Sequence, residues 1–248
     1  MINSKLIKKI AGVLGYKLID KNHIKNIRLC GKNSSVNIKS LLTNLFEKNL
    51  VASVIQIGAN DGKSFDDLAH FIKKFETYSI LVEPIPEFFN ELKINYSNFR
   101  NVKLLNAAIT DDNEKKFLYS VKKEFRNIYG GHAKAISSFS INHLLKHGVK
   151  KKHIEQLNIN SFSIKRLVEK YSLKNIDLFY VDAEGYDGEI ILSLLDNSIK
   201  CKIIIFEYVH IENNLLIKVV EKLKSKNYSF FPINENLVCT QNKFEFKI

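Results

Sequence analysis

The chain has 248 residues, enough to bury a sizeable core as one domain with an N-terminal extension. Hydrophobic content of 45% is ordinary for a globular protein, and no apolar run approaches the ~20 residues of a membrane-spanning helix. Three scattered cysteines, Cys30, Cys201 and Cys239, are too few for a disulfide framework or a zinc cluster and make a reducing, cytoplasmic compartment the expectation. The net charge of +12 invites a polyanion, but it is carried by lysines spread along an Asn-, Ile- and Lys-rich chain, which reads as a solvated surface with no nucleic-acid partner.

Residues 3–19 are basic and amphipathic, with Leu6, Ile7, Ile10, Val13 and Leu14 on one helical face and Lys5, Lys8 and Lys9 opposite. Lys8 and Lys9 interrupt the apolar stretch too early for a signal peptide. Such a helix suits an anionic membrane surface, at the inner face of the membrane, or packs on the domain or on a second subunit of a homo-oligomer. Residues 20–37 read as a linker and Ile38–Lys48 as a leading helix, so residues 1–50 precede a main domain over 51–248.

Val54–Ile57 is a short apolar run that predicts a buried parallel strand. Gly58 and Gly62 then bracket a turn, and Phe65–Phe75 has helical periodicity with Ser64 as its expected N-cap. Strand, glycine turn and helix build a nucleotide pocket at the carboxyl end of a first strand. The turn lacks the third glycine of a dinucleotide loop, and Asp61 would repel a pyrophosphate. It suits a donor without phosphates and with positive charge, such as S-adenosylmethionine, and disfavours an NAD-dependent oxidoreductase. Gln56, Gly58, Ala59, Asn60, Asp61 and Gly62 are the candidate residues of this turn.

Ser79–Val82 reads as the second strand and ends at Glu83, where an acid accepts hydrogen bonds from both ribose hydroxyls of an adenosine ligand. Pro86–Tyr96 reads as a helix. Val102–Ile109 is a third strand and its exit, where Asn106, Ala107 and Ala108 leave room for a flat adenine. Lys115–Val121 reads as an arm paired with what precedes it, and residues 122–160 as an insertion over the pocket mouth. A helix over Ser163–Tyr171, a strand over Ile176–Val181, a helix over Asp187–Leu195, a strand over Lys202–Phe206 and a helix over Leu215–Lys226 follow. Tyr228–Pro232 and Leu237–Gln241 close the chain as a hairpin. The expected fold is α/β, a mostly parallel, doubly wound Rossmann-like sheet with a C-terminal antiparallel hairpin, as in methyltransferases.

Asp182 and Glu207 end strands that should be neighbours, and His210 follows Glu207. These three are the candidate catalytic residues, with Asp182 also facing the donor. The carboxylates can hold an ammonium, take a proton or carry Mg²⁺, though no third metal ligand is apparent. His132, in the insertion, is a further candidate base, while His143, His147 and His153 sit among lysines and read as solvated.

The motifs I-G-A-N-D-G (57–62), V-E-P (82–84), N-A-A-I (106–109), I-S-S-F (136–139), I-D-L-F-Y-V-D-A-E-G-Y-D (176–187) and I-I-I-F-E (203–207) together resemble the FkbM-type S-adenosylmethionine-dependent methyltransferases over about Val51 to His210. The fourth-strand block is the most specific. Gln56 departs from the pattern, since many members carry Asp there, and Asp61 or Asp182 would then anchor the donor's amino-acid portion. The resemblance implies O-methylation of a sugar hydroxyl in a glycan, lipopolysaccharide or secondary metabolite, with a small-molecule or glycan acceptor. The rivals are a nucleic-acid methyltransferase, against which D-A-E-G-Y lacks the proline-rich amine grip, and a non-catalytic adenosine-binding protein.

Overall fold

The computed structural model describes residues 37–241 apart from 65, 113, 115, 131, 132, 134, 135, 174 and 198. The amphipathic stretch 3–19, the linker, Cys30 and His132 lie outside the described residues. In chain order the elements are α1 (Ile38–Glu47), β1 (Ser53–Ile57), α2 (Ala69–Phe75), β2 (Tyr78–Val82), α3 (Pro86–Asn95), β3 (Val102–Leu105), β4 (Ala108–Thr110) and β5 (Lys116–Val121). Then come α4 (Arg126–Tyr129), β6 (Ser137–Ser138), α5 (Ile141–Lys146), β7 (Ile154–Ile159), β8 (Ser161–Ser163), α6 (Ile164–Tyr171) and β9 (Asn175–Val181). The chain closes with α7 (Asp187–Asp196), β10 (Lys200–Glu207), α8 (Asn213–Ser225), β11 (Tyr228–Ile233) and β12 (Asn236–Gln241). No helix among the described residues is long and apolar enough to cross a membrane.

Seven strands form the central sheet in the order β11-β12-β10-β9-β1-β2-β3. The five from β3 to β10 are parallel, and β12 is antiparallel to both β10 and β11. The fold is the expected Rossmann-like one, with the second strand of the terminal hairpin wedged between β10 and β11. Alternate side chains serve two cores. Ile55, Ile57, Phe179, Val181, Ile204 and Phe206 pack toward α6, α7 and α8, while Val54, Leu178, Tyr180, Ile203 and Ile205 pack toward α1, α2 and α3. Burial on both faces is why these strands read as continuous apolar runs.

Three local expectations are corrected. First, α2 starts at Ala69, and Ser64 is not its cap. Asp66 Oδ1, two residues closer to the helix start, takes the N–H groups of Leu68 and Ala69 at 2.9 and 3.0 Å. Second, the third strand breaks after Leu105. The Asn106 amide donates to the carbonyls of Glu83 and Pro84 (2.8 and 3.1 Å), turning the chain out so that β4 pairs with β8 in a separate two-stranded sheet. Third, β5 does not pair with what precedes it. It pairs antiparallel with β7 along its length and with β6, forming a three-stranded sheet inside the insertion.

That sheet packs into two small cores, one around Leu118 and Ile159 shared with Ile85 and Phe88 at the start of α3, the other around Val121, Ile136 and Leu144. His153 belongs here. It is buried, stacked on Phe125 at 3.9 Å between centroids, with Nδ1 2.6 Å from the Tyr129 hydroxyl. Arg126, also buried, joins the insertion to α3 by donating to Glu87 Oε2 at 2.9 Å while lying over the Phe88 ring.

Candidate active site

At the carboxyl edge of the parallel strands the main chains come together. The Gly58 and Ala59 amides donate to the Val82 carbonyl, and the Asp182 amide donates to that of Ile57, each at 2.9 to 3.0 Å. Gly58 has φ +83°, and a Cβ on it would stand 1.9 Å from the Asp182 carbonyl oxygen, so only glycine allows this contact. Above these ends lies a cleft with about 720 Å³ of empty space, part of it open to solvent. Gly58, Asn60, Glu83, Asp182 and Glu184 supply its polar side. Ile85, Phe88, Ala108, Leu118, Phe139 and Tyr186 supply its apolar side. Phe139 comes from the insertion and meets Tyr186 edge-to-face at 4.8 Å, so the insertion walls the cleft as expected.

Of the predicted residues, Gly58, Asn60, Glu83, Ala108 and Asp182 line the cleft. Others hold its frame. Asp61 is buried, and its Oδ1 is engaged by the Lys63 and Ser64 amides at 2.9 and 2.6 Å, closing its own turn. Gly62 has φ +68°, and a Cβ there would meet Leu92 and Tyr96 at 2.5 Å, so its glycine serves packing on α3. Ala59 and Ala107 are core residues, and Asn106 braces the β2 exit. Gln56 points to the other face of the sheet, where its amide donates to Asp66 Oδ1 at 3.0 Å. The buried Gln56 Oε1 and Asp66 Oδ2 carry no hydrogen bond.

Glu83 is the central polar group. Its Oε2 accepts the Asn60 amide at 2.9 Å and its Oε1 the Ile85 amide at 2.8 Å. Each carboxylate oxygen accepts two hydrogen bonds, so one direction remains on each. Burial raises the Glu83 carboxyl to about 7 against the pull of those amides. Burial, helped by the charges of Asp67 and Asp66, raises Asp182 to about 6. Burial and the Asp182 charge raise Glu184 to about 8. Asp187, buried at the start of α7, is raised to about 8 by the same two causes, and its carboxylate takes the Ala183 and Gly185 amides at 3.3 to 3.4 Å. An apolar cleft crowded with acids favours a cationic ligand, which would restore their ionisation.

Glu207 and His210 stand apart from this lining, at the cleft's outer edge. His210 Nε2 is 3.6 Å from Glu207 Oε1. Facing them from α5 are His143, whose Nε2 is 3.0 Å from Glu184 Oε2, and His147. His143 is therefore not solvated; its side chain is 11% exposed, and burial lowers its pKa. His147 is exposed as expected. Of the uses open to Asp182 and Glu207, a shared Mg²⁺ is not supported by their placement, since Glu207 groups with Glu184 and His210 and Asp182 is outside that set. Sequence reasoning missed Glu184 and Asp66. Glu184 was legible in the D-A-E-G-Y motif, while Asp66 carried no signal beyond its place after a turn.

A family profile described as the methyltransferase FkbM domain matches residues 56–230. No curated protein matches the chain. Among solved structures the chain is similar to methyltransferase FkbM from Methylobacillus flagellatus, at 9% identity over 77% of this chain and 44% of that one, TM-score 0.44. It is similar to the Methanococcus jannaschii fibrillarin pre-rRNA processing protein at 11% identity over 77% and 66% of the two chains, TM-score 0.40. For the METTL16 MTase domain the values are 13%, 86%, 72% and 0.44. The chain thus spans less than half of the M. flagellatus protein and 66% of the fibrillarin.

Proposed function

The chain belongs to the methyltransferase FkbM domain family, and from that premise we propose that it moves a methyl group from S-adenosylmethionine to a sugar hydroxyl in a glycan, lipopolysaccharide or secondary metabolite. The observation that carries the donor is Glu83, buried at the end of β2 with one free direction on each carboxylate oxygen. Two adjacent ribose hydroxyls fit those directions. The small side chain of Ala108 and the apolar Ile85, Phe88 and Leu118 suit a flat base beside it. Asp182 suits the positive end of the donor, and Asp66, behind Gln56, adds negative charge on that side.

When bound, S-adenosylmethionine supplies an electrophilic methyl group on a sulfonium. The protein's part is to hold the acceptor oxygen in line with that methyl and to take the hydroxyl proton as the carbon–oxygen bond forms. Asp182 suits the proton acceptor, because it lines the cleft and its carboxyl is raised toward neutrality. Glu207 and His210, off the cleft lining, suit contacts to the acceptor's far end. Phe139 and Tyr186 exclude water from the apolar side. The sugar acceptor rests on the family resemblance.

A ligand that binds the native state raises its melting temperature. S-adenosylhomocysteine is expected to raise that of this protein and NADH is not. A shift with NADH alone would overturn the reading. The acceptor is tested by offering radiolabelled donor to oligosaccharide and RNA pools: label in the RNA alone would remove the sugar.

A further inference from the structure

We propose that His143, His147 and His210 form a binding site for a divalent transition-metal ion of the zinc class, separate from the donor cleft. The three imidazoles come from two distant parts of the chain. His143 and His147 are one helical turn apart at the end of α5, which places both on one face. His210 follows β10 in the turn before α8. The rings contact one another pairwise, with centroids 4.6 Å apart for 143–147, 5.1 Å for 143–210 and 5.4 Å for 147–210. One nitrogen from each lies within 4.8 Å of the others. Ligand nitrogens at zinc distances stand about 3.3 Å apart in a tetrahedron.

The surroundings complete the case. Metal-bound histidines are usually oriented by a carboxylate on the second ring nitrogen. His143 has one, Glu184 at 3.0 Å from its Nε2, and Glu207 lies 3.6 Å from His210 Nε2, outside hydrogen-bond reach. Glu207, which groups with Glu184 and His210 within 4.8 Å, is the carboxylate at hand for a fourth position. Glu207 brings an acid to the spot in a chain of net charge +12, against Lys146 on α5. His147 and His210 are exposed, which leaves an entry path. Three imidazoles select zinc, cobalt or nickel over magnesium, which prefers oxygen ligands. A bound ion would tie α5 of the insertion to the end of β10. Through Glu184, shared with the cleft, it would fix the wall next to Asp182. The inference does not depend on the methyl donor or acceptor.

The test uses untagged, chelator-stripped full-length protein titrated with Co²⁺, whose visible ligand-field absorption reports imidazole coordination, followed by displacement with Zn²⁺. The wild type is expected to show one saturable equivalent that Zn²⁺ displaces and excess Mg²⁺ does not. His147→Ala changes an exposed residue, and it is expected to lose that equivalent while keeping the wild-type circular dichroism. His210→Ala, on the other arm, is expected to do the same, whereas His70→Ala, an exposed histidine on α2, is expected to keep it. Absence of the equivalent in the wild type, its survival in His147→Ala or His210→Ala, its loss in His70→Ala, or its displacement by Mg²⁺ would each overturn the site.

Discussion

The main-chain oxygen of Asp182 fills the place where a β-carbon of residue 58 would be, 1.9 Å from that ideal position. The exits of β1 and β9 are therefore in backbone contact, and the cleft floor depends on one missing side chain. Gly58→Ala must also hold a left-handed φ of +83°, which costs about 1–2 kcal/mol. Forcing the strand ends apart adds roughly 1–3 kcal/mol. Urea denaturation is expected to show a loss in that combined range, together with a much smaller melting shift from S-adenosylhomocysteine. A variant with unchanged stability would show that the two exits separate freely.

Asp177 works at the opposite edge of the same strand. Its Oδ2 takes the Ala52 and Ser53 amides at 2.8 and 3.1 Å, and Lys202 Nζ lies 2.6 Å from Oδ1. It clamps β1, β9 and β10 at their starts, far from the cleft. Asp177→Ala strands the partly buried Ser53 amide, an expected loss of about 1–3 kcal/mol. The dissociation constant for S-adenosylhomocysteine, measured by calorimetry on the folded variant, is expected to stay within about twofold, since sites that share no partners act nearly independently. A large affinity loss without a stability loss would place Asp177 in the site.

Asp177 and Glu184 show what the sequence makes legible. Both belong to the fourth-strand motif that carries the family resemblance, yet one is a clamp and the other walls the cleft. A motif registers that a side chain matters, while its role depends on which end of a strand it occupies. The parallel strands followed from apolar runs alternating with helical periodicity, because burial on both faces leaves little choice, whereas strand order and the division of Ile55 and Val54 between two cores come from the structure. The glycine turn was read correctly as a turn. The roles inside it divide: Asn60 lines the cleft, while Asp61 and Gly62 serve the loop and α3. Those roles depend on contacts with residues thirty positions away, such as Leu92 and Tyr96, which spacing does not encode. The histidines of the insertion were misread for a related reason. Lysine neighbours in sequence suggest solvent, but His143 and His153 find partners at Glu184 and Tyr129.

The cleft acids make stability depend on pH in an unusual direction. Glu83, Asp182, Glu184 and Asp187 have folded-state values of about 7, 6, 8 and 8, all above the ordinary carboxylate range. Between their ordinary and folded values the native state holds more protons than the unfolded chain, so stability falls as pH rises. Each carboxyl caught in that window contributes about 1.4 kcal/mol per pH unit. His143 and His153, lowered from 6.5, act in the opposite sense below that value. From about 6.5 to 8 the carboxyls are left to act, and Asp187, Glu184 and Glu83 dominate. The free protein is expected to lose roughly 3–5 kcal/mol across this range in chemical denaturation. Asp187→Asn is expected to flatten the upper part of the slope. Stability that rises from pH 6.5 to 8 would contradict the burial of these groups.

Glu83→Gln separates the carboxylate's charge from its shape. Glutamine keeps one oxygen acceptor for an amide, but its NH₂ faces either Asn60 N or Ile85 N as donor against donor. The same NH₂ can no longer accept from a ribose hydroxyl. Hydrogen bonds to a charged acceptor contribute about 1.5–3 kcal/mol, so affinity for S-adenosylhomocysteine is expected to fall roughly 10- to 150-fold. Stability is expected to drop less at pH 8 than at pH 6, because the wild-type carboxyl is itself penalised above its value of about 7. Calorimetric binding at both pH values, with denaturation curves alongside, measures the two effects in one set of samples. If Glu83→Gln binds S-adenosylhomocysteine as the wild type does, the buried acid at the end of β2 serves only to tie Asn60 to Ile85, and the donor must be held elsewhere in the cleft.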